Sequence, residues 1–113
     1  MKFVLISCVA FIYLAWVDAG DLGPETIANS EIQSYATQLR TQIEAMASVF
    51  KYEIFKAVLF RSETVDDGYN FFVKIRVAFY DYIHARIHKD LSGKVTLNSI
   101  QTGRLKNDPI EYF

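Results

Sequence analysis

Few residues of this 113-residue chain have the means to do chemistry. His84 and His88 stand in the spacing His-x-x-x-His, which on a helix would turn both rings to one face and offer a metal two ligands. Their neighbours alternate apolar and polar, as in a strand, where the two rings lie about 13 Å apart at ~3.3 Å per residue. No second ligand pair accompanies them. Both are therefore expected as exposed histidines on a sheet face, and no metal or other cofactor is expected. The one cysteine, Cys8, lies in the apolar leader, so the remaining chain has neither a thiol nor a disulfide. No serine sits in a Gly-x-Ser-x-Gly elbow and no glycine-rich phosphate loop occurs, so the chain is not expected to be an enzyme.

The remaining concentration of reactive groups is Glu63-Thr64-Val65-Asp66-Asp67-Gly68, with three carboxylates in one short run. Asp-Gly favours a hairpin turn because glycine admits positive φ. A tight turn and a contact loop both account for these residues. Phe79 and Tyr80, in a second predicted turn, read equally as packing beneath the sheet edge or as a further contact surface.

The elements that must position these residues follow from periodicity. Residues 1–19 have Lys2, an apolar run from Phe3 to Val17, and Ala19 at a cleavage spacing, the pattern of a secretory signal peptide. The run is shorter than the roughly 20 residues that span a bilayer. Residues 20–113 then form one domain, expected to be secreted and extracellular. Its lead-in, Gly20 to Asn29, is extended and rich in turn residues. Ser30-Glu31-Ile32-Gln33 matches a capping box with Ser30 as N-cap. Ile32, Tyr35, Ala36, Leu39, Ile43, Met46 and Phe50 fall on one face, predicting one helix from about Glu31 to Ser48.

Beyond the helix the period becomes two. Strands are predicted at Glu53–Ser62, Tyr69–Val77, Asp81–Lys89 and Val95–Thr102, separated by turns too short for any but antiparallel neighbours. The predicted class is α+β, one long helix packed on a four- to five-stranded antiparallel sheet. In such a meander the turns near Asp66 and Ser92 share one end of the sheet, and a lead-in antiparallel to the first strand begins there too. The formal net charge is -1, with charges of both signs interspersed. No basic block or Lys/Arg-rich helix occurs, so nucleic acid, and a membrane once the leader is removed, are not expected partners.

The ordered stretches Gln38-Leu39-Arg40-Thr41-Gln42-Ile43-Glu44, Phe55-Lys56-Ala57-Val58, Tyr69-Asn70-Phe71-Phe72-Val73-Lys74-Ile75, Tyr82-Ile83-His84-Ala85-Arg86-Ile87, Gln101-Thr102 and the ending Ile110-Glu111-Tyr112-Phe113 resemble the type 1 cystatins, or stefins, of the cystatin superfamily. The leader departs from that pattern, since typical stefins have none and stay in the cytoplasm. The resemblance implies a cystatin fold and an inhibitor of papain-like cysteine proteases of the cathepsin type. It would fill the active-site cleft with an N-terminal glycine and two hairpin loops. Carried onto this chain, the glycine falls on Gly20 and the first loop on Glu63, Thr64, Val65, Asp66, Asp67 and Gly68. The family's Gln-x-Val-x-Gly aligns either from Glu63, with one extra residue before Gly68, or from Thr64. The second loop falls on Leu91 and Ser92, where a proline is common in the family. The resemblance implies a monomer, with strand exchange into a dimer left open. The alternative is a secreted binding protein of the same fold whose acidic first loop no longer inhibits.

Overall fold

A computed structural model describes residues 22–113. The leader, Cys8 and Gly20 lie outside the described residues. The order is β1 (Thr26–Ile27), α1 (Ser30–Gln38), α2 (Arg40–Met46), β2 (Lys56–Val65), β3 (Gly68–Ala78), β4 (Asp81–Asp90) and β5 (Val95–Arg104), with all strands antiparallel in the sheet order β1-β2-β3-β4-β5.

The predicted helix is two segments joined through Leu39, whose φ of -99° and ψ of 4° tighten one turn without ending the helical path. Asn29, not Ser30, is the N-cap: its Oδ1 accepts from the Ile32 N–H at 2.9 Å. Gln33 does not complete a capping box. Its amide instead donates to the Phe55 carbonyl and accepts from the Ala57 N–H, which fastens α1 to the start of β2. Ile32, Tyr35, Ala36, Leu39 and Ile43 are buried as the stripe predicts. Met46, the last residue of α2, is exposed, and so is Phe50, because Ser48 turns left-handed at φ 60° and carries the chain off the helix axis before it. Glu44 accepts from Arg40 Nε and from the Tyr52 N–H, both at 2.9 Å, and so holds the following loop.

The first long strand is shifted towards the tip relative to Glu53–Ser62. Pairing runs to Val65 opposite Gly68, leaving a two-residue connection, and the ladder is irregular between Ala57 and Leu59. One sheet face packs the helices with Ala57, Val73, Ile75, Val77, Ile83, Ala85 and Ile87. Tyr69, whose ring stacks on Phe71 at 6.1 Å, is exposed near the sheet end.

The opposite face is also buried, which alternation did not predict. The segment after β5 folds back over it, with Ile110 fully buried and Phe72 ringed by Tyr112 and Phe113 at 5.4 and 5.5 Å. Arg86 Nη1 donates to the Phe113 carbonyl, and Ile110 N–H donates to Glu25. Beneath this segment Lys74 Nζ donates to the carbonyls of Lys106 and Asp108 at 2.7 and 2.6 Å. His84, expected to be exposed, is fully buried there, because the returning chain covers the face that points away from the helices. Its burial, reinforced by Lys74 and Arg104, pushes its pKa down to about 4. Among the described residues no group of metal-binding side chains occurs.

Candidate functional site

The two predicted loops meet at one end of the sheet because β3 and β4 are neighbours. Gly68 opens β3, Asp90 closes β4, and the two are paired. The first hairpin turns through Asp66 and Asp67, both exposed, between the paired residues Val65 and Gly68. Gly68 is buried at φ 140°, and a Cβ there would lie 2.0 Å from the Lys89 carbonyl oxygen. Only glycine lets the two hairpins approach this closely.

Glu63 and Thr64 belong to β2, below the turn. Thr64 is exposed beside it. Glu63 is buried and accepts from Asn70 Nδ2 at 2.9 Å. Asn70 Oδ1 in turn meets His88 Nδ1 at 2.9 Å, and His88 Nε2 lies 3.6 Å from the Asp67 carboxylate. Glu63, Asn70 and His88 stand directly opposite one another across β2, β3 and β4, so the contacts form a polar rung under the tip. Glu63 and His88 lie beneath the turn, and the side chains at the surface are Asp66, Asp67 and the flanking Thr64.

The second hairpin presents Leu91, 80% exposed, and Ser92. Asp90 shapes this turn: its Oδ1 accepts from the Ser92 hydroxyl at 2.7 Å and from the backbone N–H groups of Ser92 and Lys94 at 2.9 Å each. The Ser92 hydroxyl and the Lys94 N–H hold the Asp90 carboxyl below its usual range. An aspartate at the head of Asp-Leu-Ser-Gly is a turn signal legible in the sequence. The tip therefore holds Leu91, an exposed apolar side chain on a built turn, beside two carboxylates.

The lead-in runs up β2 towards the same end. Thr26 pairs with Phe60, and Gly23 N–H donates to the Ser62 carbonyl at 2.9 Å. Arg61, which sequence reasoning missed, fixes it: Nε donates to Gly23 O at 2.7 Å, Nη2 to Leu22 O, and Nη1 to Ile110 O at 2.7 Å. One guanidinium thus ties the lead-in and the carboxyl-terminal segment to the sheet. No local pattern marks Arg61, since its partners lie far along the chain.

No profile of a known domain family matches the chain. It is, however, 37% identical over 89 residues to human Cystatin-B, a match covering 76% of this chain and 89% of that protein. Bovine Stefin-C is 37% identical over 89 residues, covering 76% and 86%. Mouse Cystatin-A is 36% identical over 96 residues, covering 83% and 97%. The chain belongs to the cystatin family, in its stefin branch. Its expected α+β cystatin fold is borne out, with the helix in two segments. As a member of this family it is not an enzyme. Within this stefin the two hairpin tips and the lead-in converge on one end, and that end supplies backbone and side-chain tips rather than a reactive constellation.

Proposed function

We propose that this stefin is a secreted inhibitor of papain-like cysteine proteases of the cathepsin type, and that it works by occlusion. The observation that carries the reading is the pairing of Gly68 with Asp90, which sets the Asp66-Asp67 turn beside the Leu91-Ser92 turn in a chain of this family. A cleft filled by two tight turns and an extended lead-in offers the protease no peptide bond in attack geometry. Interfaces of enzyme–inhibitor type bury about 1,600 Å² in total. Leu91 is the apolar anchor at the tip, while Val65, Gly68 and the backbone of the first turn set how deep it can enter.

Competitive inhibition of papain and several cathepsins by the domain from Gly20 onwards tests this reading. Binding at or below micromolar concentration is expected, and its absence for every such enzyme defeats it. Secretion is proposed from residues 1–19 alone. Mass spectrometry of material from secreting cells should find Gly20 at the amino terminus, and intracellular protein retaining Met1 would contradict it.

The exposed Asp66 and Asp67 favour a second reading. An unpaired carboxylate costs several kcal/mol to bury, so a cystatin-fold binding protein that has lost inhibition has the same tip chemistry. The inhibition assay separates the two.

A further inference from the structure

The sheet end opposite the hairpin tips carries its own exposed apolar groups. β3 and β4 join through Phe79 and Tyr80, 65% and 81% exposed, with their rings edge-to-face at 4.6 Å. Leu105, just past β5, is 62% exposed. With Arg76, Tyr82 and Lys106 these three line an open groove of about 300 Å³.

Beside the groove lies a row of positive charge. Lys56 pairs with Arg76, Arg76 with Tyr82, and Tyr82 with Arg104, so all four side chains leave the same sheet face. Lys106 follows two residues later. None of these four cations joins an ion pair among the described residues. Like charges directly opposite on a sheet are destabilising, so the Lys56–Arg76 pair has a cost that no ion pair offsets. Arg76 instead lies over the Phe79 ring at 5.2 Å and donates from Nη2 to the Phe79 carbonyl, which holds a cation beneath the aromatic turn. Of the nearby acids, Asp81 alternates to the helix side, towards Tyr52, and Asp108, two residues past Lys106, accepts from the Leu105 N–H at 2.8 Å and makes no ion pair with the row.

We propose that this end docks onto an anionic phospholipid bilayer. The apolar groups sit at the tips of a turn and a strand end, where rings can enter the headgroup layer. The cations sit just behind them, at the depth of the lipid phosphates, and the groove between Arg76 and Lys106 has room for one. This arrangement is complementary to a surface that is negative outside and apolar beneath. The chain's net charge of -1 supplies no general attraction, so binding rests on this patch. The sequence shows no basic block because the four cations come from three strands and the segment after β5. The ten-residue β4 separates this end from the protease tips by about 30 Å at ~3.3 Å per residue. A docked molecule therefore presents Asp66, Asp67 and Leu91 away from the bilayer, which also repels the two carboxylates.

Co-sedimentation with phosphatidylcholine vesicles, with and without phosphatidylserine, tests the proposal. The protein is the domain Gly20–Phe113, which contains the whole core of the described residues, from Ile32 to Ile110. Binding should require phosphatidylserine and weaken as salt rises. Phe79→Ala with Tyr80→Ala should weaken it at least about tenfold, because less apolar surface enters the interface. Lys106→Gln and Lys56→Gln should each weaken it about fivefold. These variants should keep the native melting temperature and inhibit papain as the native chain does. Equal binding to neutral vesicles, no binding at all, or binding indifferent to these substitutions overturns the proposal. So does concentration-dependent self-association lost in the Phe79/Tyr80 variant, which would assign the patch to a second copy. Vesicle binding is read without any protease, so it stands or falls apart from the inhibitor reading.

Discussion

A Cβ placed on Gly68 would sit 2.0 Å from the carbonyl oxygen of Lys89. That distance sets the spacing of the two hairpins, and with it the width of the end assigned to the protease. Gly68→Ala must push β4 away from β3 and also hold an L-residue at φ 140°. It should destabilise the protein by at least about 2 kcal/mol in urea unfolding. It should also weaken papain binding more than Leu91→Ala does, because both tips move rather than one side chain being lost.

The Asp66-Asp67 turn should limit affinity through desolvation. Neutralising both with Asp66→Ala and Asp67→Ala is expected to tighten papain binding at least tenfold, about 1.4 kcal/mol. Stability should change little, since both side chains are exposed and only Asp67 approaches a partner, His88 at 3.6 Å. Weaker binding by the neutral tip, with an association rate that no longer falls with salt, would mean that the native acids meet a basic cleft rim.

Arg61 governs whether the lead-in reaches the site as a strand or as a loose tail. Arg61→Gln removes donors to Leu22, Gly23 and Ile110. Hydrogen exchange at Gly23 and Ala28, whose N–H groups bond to Ser62 and Val58, should accelerate. Protection at Val73 and Ile83, deep in the sheet, should stay near native. Inhibition should weaken by roughly tenfold through a faster dissociation rate, the usual signature of a lost contact.

His84 makes stability depend on pH. Folding lowers its pKa from 6.5 to about 4, so between those values the unfolded chain holds the proton that the folded chain refuses. The contribution is fully present above pH 6.5, falls as the pH drops towards 4, and levels off below. Lys74 and Arg104 on its own side of the sheet add to the effect of burial, and Asp108 opposes them. From pH 7 to pH 5 the loss should be about 2 kcal/mol. Urea midpoints at the two pH values measure it, and His84→Leu should remove most of the difference. An unchanged difference in that variant would place the titration elsewhere.

Much of this molecule is local and could be read residue by residue. The helical stripe from Ile32 to Ile43 and the alternation through Val73, Ile75 and Ile83 follow from periods of 3.6 and two. The short turns then leave an antiparallel meander as the only economical topology, and a meander gathers alternate turns at one end. The convergence of the first and second hairpins was therefore implicit in the order of the segments, as were Asp66, Asp67, Leu91 and Ser92 at the tips.

Tertiary structure decided what alternation cannot express. Phe72, Lys74 and His84 point away from the helices, and the period-two pattern assigns that side to solvent. They are buried only because the segment ending at Phe113 returns across the sheet and closes over them. Glu63 changed from a candidate contact to a support for the same kind of reason, as its partner Asn70 stands across a strand pair. Arg61 and the Lys56–Arg76–Arg104 row are invisible along the chain, since their neighbours arrive from segments tens of residues away. Period and turn chemistry act through adjacent residues and so are written in the sequence. Burial of a second face and the gathering of charge act across the sheet, and they exist only once the strands have found their register.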